Sequence, residues 1–216
     1  MRQRPVLDDV VTTPGEYRLV EVFESLQGEG RNAGRPCTFV RFAGCNLSCP
    51  WCDTDVAPRF SKSLPDLVAE VASRRARSVI LTGGEPTIQP GMPDLVAALK
   101  GAGLWVAVET NGLVAADWLA SADYVACSPK AECAERYRAA GAIRRCDEVR
   151  LVASAPADAV VAFAQELRGG LVSATDYYIS PCERDGKIDF ATAKAALSRL
   201  DGWSLSVQLH KILGFR

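Results

Sequence analysis

The sequence lacks the features that would direct a protein to a membrane, a secretory route or a nucleic acid. It has no apolar run long enough to span a bilayer and no signal-peptide pattern. Its 25 Lys and Arg residues nearly balance its 26 Asp and Glu residues, for a formal net charge of −1. No whole-protein field therefore attracts nucleic acid or an anionic membrane surface, and we expect no direct partner of either kind. Any role in a nucleic-acid pathway would involve a small precursor.

The chain also lacks linkers, low-complexity segments and charged tails. We therefore expect a single domain over residues 1–216, in which residues 1–16 form a loose N-terminal leader. Without secretory features, the eight cysteines indicate reduced thiols of a cytoplasmic protein. Outside the array described below, cysteines are most often small buried hydrophobic residues, with no chemistry assigned by default. These are Cys37, Cys127, Cys133, Cys146 and Cys182.

Apolar strand patterns alternate with helical patterns along most of the chain, which predicts an α/β fold with a parallel sheet. Strands are expected at 17–23, 37–43, 77–82, 104–109, 123–127, 148–152, 177–180 and 204–209. Helices are expected from Ser63 to about Ala72 and at 93–100, 116–120, 132–139, 156–167 and 190–200. A closed eight-unit barrel typically needs about 250 residues, so we favour a partial, laterally open (β/α) barrel. A flavodoxin-like open sheet is the alternative, and in both folds ligands bind where the parallel strands end.

Three cysteines stand close together, in the order Cys45-x3-Cys49-x2-Cys52. The spacing is too tight for a disulfide framework, and the array is one ligand short of a closed metal site. Three thiolates on a 4Fe–4S cubane leave one iron open to a small molecule. The alternative is a zinc site completed by Cys37 or Cys182, as in an interaction module without catalysis.

The array resembles the signature of the radical SAM superfamily, in which S-adenosylmethionine (SAM) binds the open iron. One βα unit later, Gly83-Gly84-Glu85-Pro86 is similar to the glycine-rich motif whose backbone contacts the SAM amino group. Taken alone, that stretch would indicate only a turn before a helix. The resemblance implies a partial barrel of the radical SAM type.

Three further stretches resemble the 7-carboxy-7-deazaguanine synthase family: Leu26-Gln27-Gly28-Glu29-Gly30, Cys52-Asp53-Thr54-Asp55 and His210-Lys211-Ile212-Leu213-Gly214. The resemblance implies a radical SAM carbon–nitrogen lyase that converts 6-carboxy-5,6,7,8-tetrahydropterin into 7-carboxy-7-deazaguanine with loss of ammonia. A 5′-deoxyadenosyl radical would remove hydrogen from substrate C6, and the product would serve the synthesis of 7-deazapurines such as queuosine. The resemblance also implies Mg²⁺, an external one-electron reductant of the flavodoxin or ferredoxin type, and a homodimer.

The resemblance implies a cofactor site as well. Cys45, Cys49 and Cys52 would hold the cluster, and Thr54 would offer its hydroxyl to Mg²⁺, which prefers oxygen ligands. The SAM contacts would come from the end of the cysteine loop and from motifs after three later strands. They are Trp51, Cys52, Asp53, Gly84, Glu85, Ser128, Pro129, Lys130, Ser180, Pro181, Cys182 and Glu183.

The pterin site implied by the resemblance combines the glycine-rich turn, two strand residues and the C-terminal stretch. Arg41 lies inside a strand, where a buried arginine must pair with a carboxylate of the protein or of a ligand. His210 is the single histidine, and a structural role fits it as well as a substrate contact does. The full set is Leu26, Gln27, Gly28, Glu29, Arg41, Thr82, His210 and Arg216. A glycyl-radical activase, which acts on a protein, shares the cysteine array and is the rival within the superfamily.

Overall fold

The computed structural model describes residues 15–139 and 141–215, and these fall into two compact units. Unit 1 consists of the described residues up to Leu26, together with Arg35–Thr110 and Ala116–Tyr124. Unit 2 consists of Gln27–Gly34, Asn111–Ala115 and the described residues from Val125 onward. Most of the expected leader lies outside the described residues, and the expectation of a single domain stays a prediction.

Unit 1 contains a mixed sheet flanked by two helices. Its strand order is β3-β1-β2-β4-β5, in which β1 is antiparallel to β2 and β3 while β2, β4 and β5 run parallel. The strands are β1 (Glu16–Leu26), β2 (Pro36–Phe42), β3 (Phe60–Ser63), β4 (Ser78–Gly83) and β5 (Trp105–Thr110). The helices are α1 (Leu64–Ala72) and α2 (Met92–Gly101).

The two helices of unit 1 begin where the sequence provides helix starts. The Ser63 side chain accepts a hydrogen bond from the Asp66 backbone N–H and caps α1. The apolar residues of α1 then recur one turn apart, so that Leu67 and Val71 are fully buried. Tyr17 fixes the start of α2, because its hydroxyl donates a 2.7 Å hydrogen bond to the carbonyl of Gly91.

Unit 2 is built on the parallel strand order β6-β7-β8-β10, with β9 antiparallel to β8. Its strands are β6 (Tyr124–Cys127, of which Tyr124 belongs to unit 1), β7 (Glu148–Ala153), β8 (Asp176–Arg184), β9 (Lys187–Asp189) and β10 (Ser204–Leu205). Its helices are α3 (Ala134–Tyr137), α4 (Ala157–Glu166, continued by a π-helical turn), α5 (Phe190–Leu197) and α6 (Leu209–Leu213).

One apolar core holds unit 2 together. Leu151 of β7 and Ile179 of β8 face α4 and α5, and neither is exposed. Tyr137 and Phe163 belong to this core and pack with ring centroids 5.6 Å apart. Successive side chains of a strand point to opposite faces of the sheet. The residues of β7 and β8 that do not face this core therefore lie on the other face, which carries the polar groups described below.

The alternating order of strands and helices confirms the sequence prediction for most elements, and the differences have local causes. Glu16 is not part of a leader, since it pairs with Ser63 at the start of β1. The short strands β3 and β9 were not predicted, because they are only four and three residues long. The predicted strand 204–209 ends at Leu205, because the Leu209 N–H bonds to the carbonyl of Gly28 and α6 begins there. No helix among the described residues is long and apolar enough to cross a membrane.

Candidate functional site

The three clustered cysteines lie in the loop between β2 and β3 of unit 1. All three side chains are partly exposed and none forms a disulfide. The loop is closed at its base by a 2.9 Å hydrogen bond from the Gly44 N–H to the carbonyl of Val56, and a tight turn joins Cys49 to Cys52. The sequence therefore gathers three accessible thiols on one short, anchored loop.

The Gly-Gly-Glu turn at the end of β4 lies directly against this loop. The Gly84 N–H donates to the carbonyl of Phe42, and the Glu85 N–H donates to the carbonyl of Gly44 over 3.0 Å. A Cβ on Gly84 would lie 1.5 Å from the Gly44 carbonyl oxygen, so only glycine fits there. Gly83 has a φ of +115°, which also favours glycine. The two glycines thus allow backbone to approach backbone beside the first cysteine.

Glu85 itself is fully buried, and its carboxylate organises the turn from within. One oxygen accepts hydrogen bonds from the Thr87 N–H, the Thr87 hydroxyl and the Thr110 hydroxyl, at 3.0, 2.7 and 2.6 Å. Any contribution of this motif to ligand binding therefore comes from its backbone, with the Glu85 side chain as its support.

The residues after Cys52 differ in what they can offer a metal ion. Thr54 is half-buried and Asp53 is exposed, whereas the Asp55 carboxylate accepts from the Ala57 N–H and pairs with Arg59 at 3.0 Å. Among residues 15–139 and 141–215, no three His, Cys, Asp or Glu side chains converge as a site for one ion. A single zinc needs thiolates about 2.3 Å from one point. A cubane instead takes each thiolate on a different iron.

A row of polar side chains crosses unit 1 at the predicted substrate strands. Arg41 donates a 2.8 Å hydrogen bond to Glu21, its register neighbour on β1. Thr82 is the register neighbour of Arg41 on β4, and its hydroxyl donates to Glu109 over 3.0 Å. The structure therefore brings Arg41 and Thr82 side by side and pairs Arg41 within the protein. Sequence reasoning missed Glu21 and Glu109; the available signal was Glu109, the single charged residue of β5.

In unit 2, the structure brings the glycine-rich turn and the single histidine together. The Leu209 N–H donates to the Gly28 carbonyl, and a Cβ on Gly28 would lie 2.5 Å from Nδ1 of His210. Gln27 is buried, and its side-chain oxygen accepts the N–H of Glu29 over 3.1 Å. The predicted contacts Gln27, Gly28, Glu29 and His210 thus form one cluster. Leu26 is an exposed residue of unit 1, and Arg216 lies outside the described residues.

Residues that the sequence interpretation missed surround this turn. Glu148 and Arg150 of β7, with Ser206 and Gln208 after β10, bind its backbone and its carboxylate. The available signal was Glu148-Val149-Arg150-Leu151, in which two charged residues share one face of a strand whose other face is apolar.

The other predicted SAM contacts of unit 2 lie on or after β6 and β8. The stretch Ser128–Lys130 follows β6, and the Lys130 N–H donates to the Tyr137 hydroxyl. β8 was expected to end near Ser180, but it continues to Arg184 because Cys182–Arg184 pair with β9. Pro181 is therefore a buried strand residue rather than part of a turn, and Glu183 pairs with Lys211 at 2.7 Å.

Ser180 and Cys182 share the polar face of β8. The Ser180 side chain is buried, and its hydroxyl has no hydrogen-bond partner among the described residues. Burial raises the pKa of the Cys182 thiol.

Comparisons with known proteins agree with this geometry. Residues 39–151 match the Radical SAM superfamily. The chain is 43% identical to the 7-carboxy-7-deazaguanine synthase of Neisseria meningitidis over 210 residues, covering 92% of this chain and 94% of that protein. It is 41% identical to the enzyme of the same name from Haemophilus influenzae, covering 92% and 93% of the two chains. The crystal structure of QueE from Escherichia coli superposes with a TM-score of 0.68 at 23% identity, over 90% of this chain and 95% of that one.

Proposed function

Because the chain belongs to the 7-carboxy-7-deazaguanine synthase family of the radical SAM superfamily, we propose that it converts 6-carboxy-5,6,7,8-tetrahydropterin into 7-carboxy-7-deazaguanine with loss of ammonia. The chain is accordingly a radical SAM lyase of queuosine precursor biosynthesis. Its fold is the predicted α/β partial barrel of the radical SAM type. The family uses a 4Fe–4S cluster and SAM, acts on a small molecule and needs a reductant.

One observation carries the proposal. The three-cysteine loop and the Gly83–Glu85 turn converge within unit 1, backbone against backbone. A cluster that binds a small molecule through an open iron needs three thiols and, beside them, backbone that can receive the molecule. The convergence of the two motifs supports that requirement.

We propose the following residue roles toward the cofactors. Cys45, Cys49 and Cys52 would hold the cluster, which together with SAM would supply the radical chemistry. The strand end at Gly84 offers backbone groups to the SAM amino group, and the buried Glu85 carboxylate keeps that strand end in place. Ser180, on β8, is a further proposed SAM contact. The remaining proposed contacts are Trp51, Asp53, Ser128, Pro129, Lys130, Pro181, Cys182 and Glu183.

Two sets of residues are proposed as substrate contacts, and each is described within its own unit. In unit 2, Gln27 and Gly28 present polar edges to the pterin ring, with His210 packed against Gly28. In unit 1, Arg41 and Thr82 receive the carboxylate end, and the ion pair with Glu21 keeps the Arg41 guanidinium oriented. Glu29, Leu26 and the terminal Arg216 complete the proposed substrate contacts.

Mg²⁺, the partners and the location complete the proposal. Thr54 would offer a hydroxyl oxygen to Mg²⁺, an ion that prefers oxygen ligands. The protein acts in the cytoplasm as a homodimer and receives electrons from a protein of the flavodoxin or ferredoxin type. It makes no direct contact with nucleic acid or a membrane.

The function is tested by reconstituting the protein anaerobically with iron and sulfide. SAM, a reductant and the carboxy-tetrahydropterin are then added, and the deazaguanine product is measured by mass spectrometry. We expect a brown protein and product formation that depends on SAM. A colourless protein with stoichiometric zinc, or a brown protein that ignores the pterin, refutes the proposal; the second outcome would point to a protein substrate.

Mg²⁺ is tested in the same assay by treatment with a chelator followed by readdition of the metal. We expect turnover to fall on chelation and to return with Mg²⁺. Equal turnover at both stages removes Mg²⁺ from the proposal while leaving the rest of it standing.

A further inference from the structure

Two charged side chains of β7 lie almost completely inside unit 2. Side chains of Glu148 and Arg150 are only 1% and 5% exposed, and Nε of Arg150 lies 2.6 Å from Oε1 of Glu148. Buried charges are costly to keep unless they are paired, and the pair satisfies that requirement. Neither residue was assigned a role by the sequence motifs.

The same two side chains bind the glycine-rich turn. The second carboxylate oxygen of Glu148 accepts the N–H of Arg31 over 2.7 Å. The Arg150 guanidinium donates to one oxygen of the Glu29 carboxylate over 3.3 Å. The other oxygen of that carboxylate accepts a hydrogen bond from the Gln208 side chain over 2.8 Å. Arg150 thus lies between two carboxylates, one on β7 and one on the turn.

The turn is shaped to this pair. Gly30 has a φ of +66°, and a Cβ there would lie 2.1 Å from the Glu148 carboxylate. The Gly30 N–H donates to the hydroxyl of Ser206 over 2.9 Å. Glycine is therefore needed at this point both for its conformation and for the close approach of the carboxylate.

Stability alone does not explain such an arrangement. Replacing a buried ion pair by well-packed apolar side chains is often neutral or stabilising, because the desolvation of two charges offsets their attraction. The two charged side chains instead fix the position of the turn, because each of their hydrogen bonds holds one atom of it. Gln27 and Gly28, which immediately precede Glu29, are fixed with it.

We propose that Glu148 and Arg150 are positioning residues for the substrate: they hold the Gln27–Gly28–Glu29 turn in its binding geometry and do not touch the pterin themselves. The inference rests on the proposed function, because it assumes that this turn contacts the pterin. A positioning role predicts that their loss weakens pterin binding while the cysteine loop of unit 1 still takes up its cluster.

The test uses the full-length reconstituted protein and two variants, Arg150→Met and Glu148→Gln. Arg150→Met keeps the length of the side chain and removes the guanidinium. Glu148→Gln keeps the shape of the side chain and an acceptor for the Arg31 N–H but removes the charge. Arg138→Gln is the matched control, because Arg138 pairs with Glu166 at 2.7 Å at the surface of the same unit. Two quantities are measured: the Kd of the carboxy-tetrahydropterin by calorimetry without reductant, and KM against kcat in the full assay.

We expect the Kd and KM for the pterin to rise about 10- to 100-fold in Arg150→Met, with a smaller rise in Glu148→Gln. Iron content and SAM affinity should stay at the wild-type level, and the control should match the wild type throughout. The inference is overturned if Glu148→Gln and Arg150→Met bind the pterin like the wild type. It is overturned equally if iron content, SAM affinity and pterin affinity fall together, as a general loss of structure would cause. If Arg150→Met does not fold, the isosteric Glu148→Gln decides alone. Failure of the wild type to bind or convert the pterin would instead refute the proposed function.

Discussion

Substitution of Gly84 by alanine tests the close contact between the Gly-Gly-Glu turn and the cysteine loop. The new Cβ would lie 1.5 Å from the Gly44 carbonyl oxygen, whereas real Cβ contacts stay beyond 3.0 Å. The two backbone segments must therefore separate by at least 3.0 − 1.5 = 1.5 Å. Since the obstacle is a backbone atom, no side-chain rotation relieves it.

The cost can be worked from two contributions. Separation by that distance breaks the hydrogen bond from the Glu85 N–H to the Gly44 carbonyl, worth about 1 kcal/mol. Overpacking of a tight contact costs a further 1–3 kcal/mol, roughly. We expect Gly84→Ala to lower the free energy of unfolding by about 2–4 kcal/mol, which a stability of about 5–15 kcal/mol can tolerate. The folded variant should nevertheless bind SAM weakly, because the strand end has moved.

Urea denaturation and SAM binding after anaerobic reconstitution measure the two effects. The matched control is Gly101→Ala at the end of α2, where a Cβ would meet nothing within 4 Å. That control should retain full SAM affinity and be as stable as the wild type, or slightly more stable. If Gly84→Ala unfolds at the wild-type urea concentration and binds SAM normally, the reasoning from close approach is wrong.

Two further predictions concern the thiols and a buried tyrosine. Cys49→Ser should lose the reconstituted iron and the brown colour, whereas Cys133→Ser should keep both; unchanged iron in Cys49→Ser would contradict the cluster assignment. Burial, assisted by the charge of Asp94, raises the pKa of Tyr17 from 10.0 to about 12. The neutral phenol is favoured in the folded state, so its stabilising contribution is complete below pH 10 and is lost as the pH rises toward 12. Tyr17→Phe should remove the bond to Gly91, lower the free energy of unfolding by about 1 kcal/mol and flatten this alkaline decline. Urea titrations at pH 9 and pH 11 check it, and an undiminished decline in the variant would count against the assignment.

Much of the fold could be predicted from the sequence because its signals are local. The apolar run of β4 and the Ser63–Asp66 cap of α1 are complete within a few residues, and both elements form where they were expected. The end of β8 was misjudged because its continuation depends on pairing with β9, a three-residue strand with no apolar pattern. Pairing of this kind is invisible in a short window of sequence.

The site shows the same division. The cysteine loop and the Gly-Gly-Glu turn are contiguous motifs, and the sequence places both. Glu148 and Arg150 were missed because their partners lie 117 and 121 residues away. The sequence of the strand alone does not indicate which residues those partners are. The sequence left two partners open for Arg41, a carboxylate of the protein or a carboxylate of a ligand. In the structure, Arg41 pairs with Glu21.

The placement of the glycine-rich turn has a consequence for how the chain folds. The turn precedes its anchors in the chain: the hydroxyl that accepts the Gly30 N–H lies 176 residues further along, and the amide that donates to the Glu29 carboxylate lies 179 residues further along. Contacts of such wide sequence separation are slow to form, because loop closure must precede them. On the ribosome, the turn cannot form these contacts until Ser206 and Gln208 have emerged. A chain interrupted before Ser206 would leave it without its anchors, even with every cysteine of the array already in place.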